Sequence, residues 1–141
     1  MHYLANTNSD LHFLVVNDSE ASRRLIVHLL KELGYMKVSE ASNGEMALRS
    51  FKSARAIGSP IGFVITDCAM PVMDGLKLVQ QIRGDEQLRA TPLLMVTADA
   101  TREHILAASE AGADDYLVKP FNATKLRQKI SPMIAKYALA A

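Results

Sequence analysis

A chain of 141 residues suits a single domain, long enough to bury about two-thirds of its unfolded surface without a disulfide staple. Apolar residues make up 49%, charged residues 22%, and the formal net charge is +1 with no run of lysine or arginine, which speaks against a nucleic-acid surface. The polar opening Met1–Asp10 lacks the apolar centre of a signal peptide, no apolar run approaches the ~20 residues of a membrane span, and Cys68 as the only cysteine fits a reduced, cytoplasmic setting.

Residues 1–10 read as a flexible lead-in, and residues 11–141 as the domain. Leu11–Val16 is a strand candidate. Ser19 or Asp18 can cap the helix that follows, whose apolar face carries Leu25, Ile26, Leu29, Leu30 and Leu33 before Gly34 ends it. Lys37–Ala41 is a short second strand. Asn43-Gly44 turns into a helix from about Glu45 to Ala56, broken by Gly58-Ser59-Pro60. Ile61–Asp67 is the third strand, Pro71 to Gly75 a loop, and about Leu76 to Leu88 a helix. Leu93–Thr97 is the fourth strand, followed by a helix from about Arg102 to Glu110 that Gly112 stops. Asp115–Lys119 is the fifth strand. The last helix spans about Ala123–Tyr137, and Pro132 inside it predicts a kink or an early end.

Short Val-, Ile- and Leu-rich strands alternating with helices predict an α/β fold, with five parallel strands covered by helices on both faces. Four of the strands end in polar groups: Asn17-Asp18, Thr66-Asp67, Thr97 and Lys119-Pro120. If the strands are neighbours, these ends share one edge, where open α/β sheets bind their ligands. Two carboxylates, a carboxamide, a hydroxyl and an ammonium suit a divalent cation and a phosphoryl group.

Four pieces carry a resemblance: Val15-Val16-Asn17-Asp18-Ser19, the stretch from Thr66 through Asp67 to Gly75, Thr97-Ala98, and the stretch from Ala111 through Tyr116 to Phe121. In this order and on these elements they resemble the receiver domain of two-component response regulators, over about residues 11–138. The stand-alone chemotaxis regulators look most similar. The resemblance implies the doubly wound, flavodoxin-like three-layer sandwich. Its strand order 2-1-3-4-5 comes with the family and not from the pattern of this chain.

The same resemblance implies the roles. Asp67 matches the phosphoacceptor, a carboxylate that can form an acyl phosphate. Asp18, Asp67 and the backbone carbonyl of Ala69 would hold Mg2+, an ion that takes oxygen ligands and keeps several waters. Asn17 stands where the family usually has a second acid and would reach the metal through a water. Loss of that charge predicts weaker metal binding, since outer-shell changes cost roughly 10–100-fold. Lys119 and Thr97 would contact the phosphoryl group, and Thr97 with Tyr116 would form a switch. The Lys119–Pro120 bond is expected to be cis. Ala69 and Asp99 would flank the path of a hydrolytic water. By spacing, His2, His12, His28 and His104 form no metal site, and Cys68 shows no sign of reactivity.

The implied function is that of a stand-alone response regulator, phosphorylated by a sensor histidine kinase in chemotaxis or flagellar-motor control. It would not be a turnover enzyme. A flagellar motor switch protein and a phosphatase are the implied partners, with no nucleic acid or membrane insertion and a monomeric state. A phosphate sink or relay intermediate is one alternative. A weakened pseudo-receiver that binds without phosphorylation is another. The segment Lys52–Pro60 looks about five residues longer than in compact chemotaxis proteins, either a plain insertion or a partner contact.

Overall fold

In the computed structural model, residues 10–70, 72–99 and 101–140 are described; most of the expected lead-in, and Pro71 at the start of the expected loop, lie outside them. The strands are β1 (His12–Val16), β2 (Lys37–Ala41), β3 (Phe63–Asp67), β4 (Leu93–Thr97) and β5 (Asp115–Val118). The helices are α1 (Glu20–Glu32), α2 (Gly44–Ala56), α3 (Gly75–Arg83), α4 (Arg102–Ala111) and α5 (Ala123–Ala140). All pairings are parallel and the order is β2-β1-β3-β4-β5. This is the expected doubly wound sandwich.

Alternation along the strands builds two cores, because successive side chains point to opposite faces. Phe13, Val15, Phe63, Ile65, Leu94, Val96 and Leu117 pack under α1 and α5 with Ile26, Leu30, Leu126 and Ile130. Leu14, Val16, Val64, Leu93 and Met95 pack under α2, α3 and α4 with Phe51, Leu78, Ile82 and Ala108. The central strands β1, β3 and β4 are buried throughout, which is why their sequences run apolar without polar interruption.

Each helix starts on a side-chain cap that meets an otherwise free N–H. Ser19 Oγ accepts from Ser22, Asn43 Oδ1 from Met46, Asp74 Oδ1 from Lys77, Thr101 Oγ1 from His104 and Asn122 Oδ1 from Lys125. Ser19 is thus the cap of α1, and the carboxylate of Asp18 does not serve there.

Two helices differ from expectation. α3 ends at Arg83, five residues short of Leu88. Gly84 costs about 1 kcal/mol in a helix interior, and Asp85 Oδ1 takes the N–H of Gln87 at 2.8 Å, a local turn that competes with helix. α5 continues past Pro132 to Ala140, so the proline does not end it.

The segment Lys52–Pro60 closes α2 and turns back to the start of β1. Gly58 adopts φ +75°, where other residues are strained. His12, buried at the start of β1, places its Nδ1 2.7 Å from the Ser59 carbonyl and its Nε2 2.7 Å from Ser39 Oγ. It fastens this segment to β2.

Candidate functional site

The carboxyl ends of the strands set the site. β1 and β3 are in register through Val16 and Thr66, so Asn17 and Asp67 follow side by side. Alternation turns both toward the face of Val15 and Ile65, and turns Lys119 toward the face of Leu117. A row of Asn17, Asp67 and Lys119 results. The Lys119 ammonium lies 2.8 Å from Asp67 Oδ1, with Asp67 only 9% exposed. The contact is a charge-assisted hydrogen bond that places the ammonium directly on the Asp67 carboxylate. The N–H of Lys119 donates to the Thr97 carbonyl at 2.9 Å, and the Lys119–Pro120 bond is cis.

The β1–α1 turn holds Asn17 rigidly. Its Oδ1 accepts from the Ser19 N–H at 2.9 Å. Arg23 Nη1 donates to the Asn17 carbonyl at 2.9 Å, while Arg23 Nε pairs with Glu40 on β2 at 2.9 Å. Asp18 lies between these fixed residues with its carboxylate exposed.

The β3–α3 loop returns close beneath the site. The Gly75 N–H donates to the Cys68 carbonyl at 2.9 Å, and Asp74 caps α3. The Cys68 thiol is pushed above its usual range by burial, and further by the charges of Asp67, Asp74 and Asp99. Such surroundings disfavour the thiolate.

Thr97 Oγ1 accepts from the Asp99 N–H and donates to the Asp99 carbonyl, each at 3.0 Å. In this conformation the hydroxyl is committed to its own loop. Tyr116 is a diagonal neighbour of Thr97 across the β4–β5 ladder and packs beside Met95 and Ala108. Lys129 Nζ sits 4.8 Å above its ring and 3.2 Å from Asp115 Oδ1. The Asp99 carboxyl is held below its usual range, chiefly by the Thr101 N–H. His104 Nε2 lies 3.4 Å from Asp99 Oδ2.

Asp67, Ala69, Thr97, Asp99, His104 and Lys119 line a cleft of about 210 Å³. His104 is the member that spacing alone did not mark. Its place follows from Thr101 capping α4, which sets the third helical residue back against the loop. Asp18 and Asn17 lie outside the lining of this cleft.

The donor set at this edge is all oxygen and suits a hard cation. Asp67 keeps a second carboxylate oxygen beyond the one paired with Lys119, Asp18 adds an exposed carboxylate, and Ala69 lies on the exposed loop. Among the described residues no three His, Cys, Asp or Glu side chains converge as a metal cluster.

Residues 13–131 match the family model of the response regulator receiver domain. The chain belongs to the response regulator receiver family. The domain is 39% identical over 129 residues to the chemotaxis protein CheY-3 of Vibrio cholerae serotype O1, covering 92% of this chain and 95% of that protein. It is similar in structure to the chemotaxis response regulator CheY4 of Vibrio cholerae, with TM-score 0.77, 33% identity and coverage of 87% and 98%. The receiver domain of a sensor histidine kinase from Pseudomonas aeruginosa, with a magnesium ion coordinated in its active site cleft, matches with TM-score 0.77, 30% identity and coverage of 89% and 98%. Among its described residues the receiver domain has no helix long and apolar enough to cross a membrane.

Proposed function

We infer that this receiver domain accepts a phosphoryl group on Asp67 from the phosphohistidine of a sensor histidine kinase. The observation that carries the reading is the Lys119–Asp67 pair at the carboxyl edge of β3, inside a cleft shared with Thr97. An Asp67 oxygen bonds to phosphorus as the phosphorus–nitrogen bond breaks, and the departing imidazole takes up a proton. Lys119 neutralises charge on the transferring group.

Asp18, Asp67 and the Ala69 carbonyl would hold Mg2+, with Asn17 in its outer shell through water. The ion would supply charge neutralisation at the phosphoryl oxygens. Magnesium in the similar kinase receiver supports this assignment. Ala69 and Asp99 flank the approach of a hydrolytic water, and hydrolysis would reset the domain without making it a turnover enzyme.

Phosphorylation would act through Thr97. Its hydroxyl leaves Asp99 for the phosphoryl group, and Tyr116 follows into the space released. The state that binds a partner is thereby favoured. Similarity to chemotaxis proteins over nearly their whole length supports a cytoplasmic, monomeric chemotaxis regulator. Its targets would be a flagellar motor switch protein and a phosphatase. The neutral Asn17 favours one second reading, a weakened receiver that binds partners without phosphorylation.

The test uses magnesium and a small phosphodonor. Thr97→Ala should still gain the mass of one phosphoryl group, yet lose about 10-fold in phosphate-dependent partner capture, the scale of one charge-assisted hydrogen bond. Unchanged phosphate dependence in Thr97→Ala would rule out coupling through this hydroxyl.

A further inference from the structure

Asn17 is 1% exposed, yet its Nδ2 is buried with no hydrogen-bond partner among the described residues. The amide cannot be turned to relieve this. Its Oδ1 already accepts from the Ser19 N–H at 2.9 Å, and the flipped amide would set two donors against each other. A buried donor without a partner carries a desolvation cost, which an arriving acceptor recovers. Asn17 follows β1 beside Asp67 on one sheet face, with Lys119 on the far side of that carboxylate. An oxyanion lodged against Asp67 is the acceptor that meets the donor.

The charges favour the same occupant. Lys119 stands 2.8 Å from Asp67, and Arg23, only 15% exposed and paired with Glu40, donates to the Asn17 carbonyl at 2.9 Å. With asparagine at 17 the edge holds the carboxylates of Asp18 and Asp67; with aspartate it would hold three. A phosphate approaching Asp67 therefore meets one negative charge fewer, at a place where shielding from water makes each charge count. An aspartate side chain, ionised, could not donate at all.

Resting on the reading of Asp67 as the phosphoryl site, we propose that Asn17 Nδ2 is an oxyanion donor, so that the site holds phosphate-class anions with a reduced requirement for divalent cation. Asn17 is then more than a diluted metal ligand: it takes over part of the anion binding that a cation provides when position 17 is acidic.

The test is titration of inorganic phosphate into the protein in chelator, followed by NMR at the backbone amides of Cys68 and Ala98. Wild type binds. Asn17→Ala binds about 10-fold more weakly, the scale of a lost donor to a charged acceptor. Asn17→Asp keeps the shape and the acceptor for Ser19 but loses the donor and adds a charge; it binds more weakly still. In saturating magnesium the Asn17→Asp deficit shrinks, because the added carboxylate strengthens cation binding. Thermal melts without ligand identify a variant that fails to fold, and either variant alone suffices. Equal affinity of wild type and both variants in chelator overturns the proposal, as does absence of binding by wild type. Labelling of Asp67 in magnesium is read on the same samples. Its failure, with Asn17-dependent phosphate binding intact, counts against the phosphoacceptor reading alone.

Discussion

Arg83→Ala is expected to lower the melting temperature by about 10 °C, the shift for a loss of about 3 kcal/mol in a domain of this size. Arg83 closes α3 and spends its whole guanidinium on fixed partners. Nε donates to the Gly112 carbonyl at 2.9 Å, Nη1 to the carbonyls of Arg89 and Thr91 at 2.7 Å each, and Nη2 pairs with Asp114 at 3.0 Å. Asp114 in turn accepts from the Leu93 N–H at 2.8 Å and from the Tyr137 hydroxyl at 3.0 Å. One side chain thus ties the ends of α3 and α4, the start of β4 and the end of α5. Its removal strands two partly buried carbonyls, those of Gly112 and Thr91, and each unmet group costs about 1–3 kcal/mol before relaxation. Arg83→Lys should recover only part of the loss, because an ammonium can meet Asp114 but cannot span the fork of carbonyls. This network lies at the amino end of β4, away from Asp67, so phosphoryl uptake per folded molecule should not change. A melting shift below about 3 °C would show that the network is replaced by water at little cost.

Gly75→Ala is expected to be the most damaging substitution near the site. A Cβ there would run into the Asp67 carbonyl oxygen and stand 3.0 Å from the Cys68 Cα. Both obstacles are backbone and belong to the end of β3, so the strand that presents Asp67 must shift. Overpacking of this kind costs about 1–3 kcal/mol, and more where backbone must yield. Phosphoryl uptake should slow as well, because the displaced atoms adjoin Asp67, the proposed phosphoacceptor. Melting and labelling rates measured together check both effects. A variant with unchanged melting temperature and unchanged labelling would mean that the β3–α3 loop relaxes freely.

Gly75 also marks where sequence reading ran out. Asp74-Gly75 reads as turn chemistry before a helix, and Asp74 does cap α3. The glycine answers a different need, close approach of two backbone segments, and nothing local records that. The strands were legible because β1, β3 and β4 are buried on both faces, which writes itself as short apolar runs ending in polar groups. β2 and β4 fall on the residues expected from pattern alone. The end of α3 was not legible, since a favourable apolar spacing through Leu88 hides the competing turn at Asp85.

At the site, Asp67 and Lys119 stand out in sequence as strand-end charges, and their 2.8 Å contact is a consequence of strand order. His12 and His104 were opaque. His12 is defined by a serine carbonyl 47 residues away, and His104 by the fold of the loop before α4. Pairwise contacts made across the fold leave no periodic trace in a chain.

Whether Asp67 receives the phosphoryl group decides the functional reading. The most direct measurement is intact mass followed by peptide mapping, after incubation with magnesium and a small phosphodonor, for wild type and Asp67→Asn side by side. One added phosphoryl group is expected in wild type, mapped to the peptide that carries Asp67, and none in Asp67→Asn. Equal labelling of the two proteins, or no labelling of wild type at any magnesium concentration, would contradict that assignment.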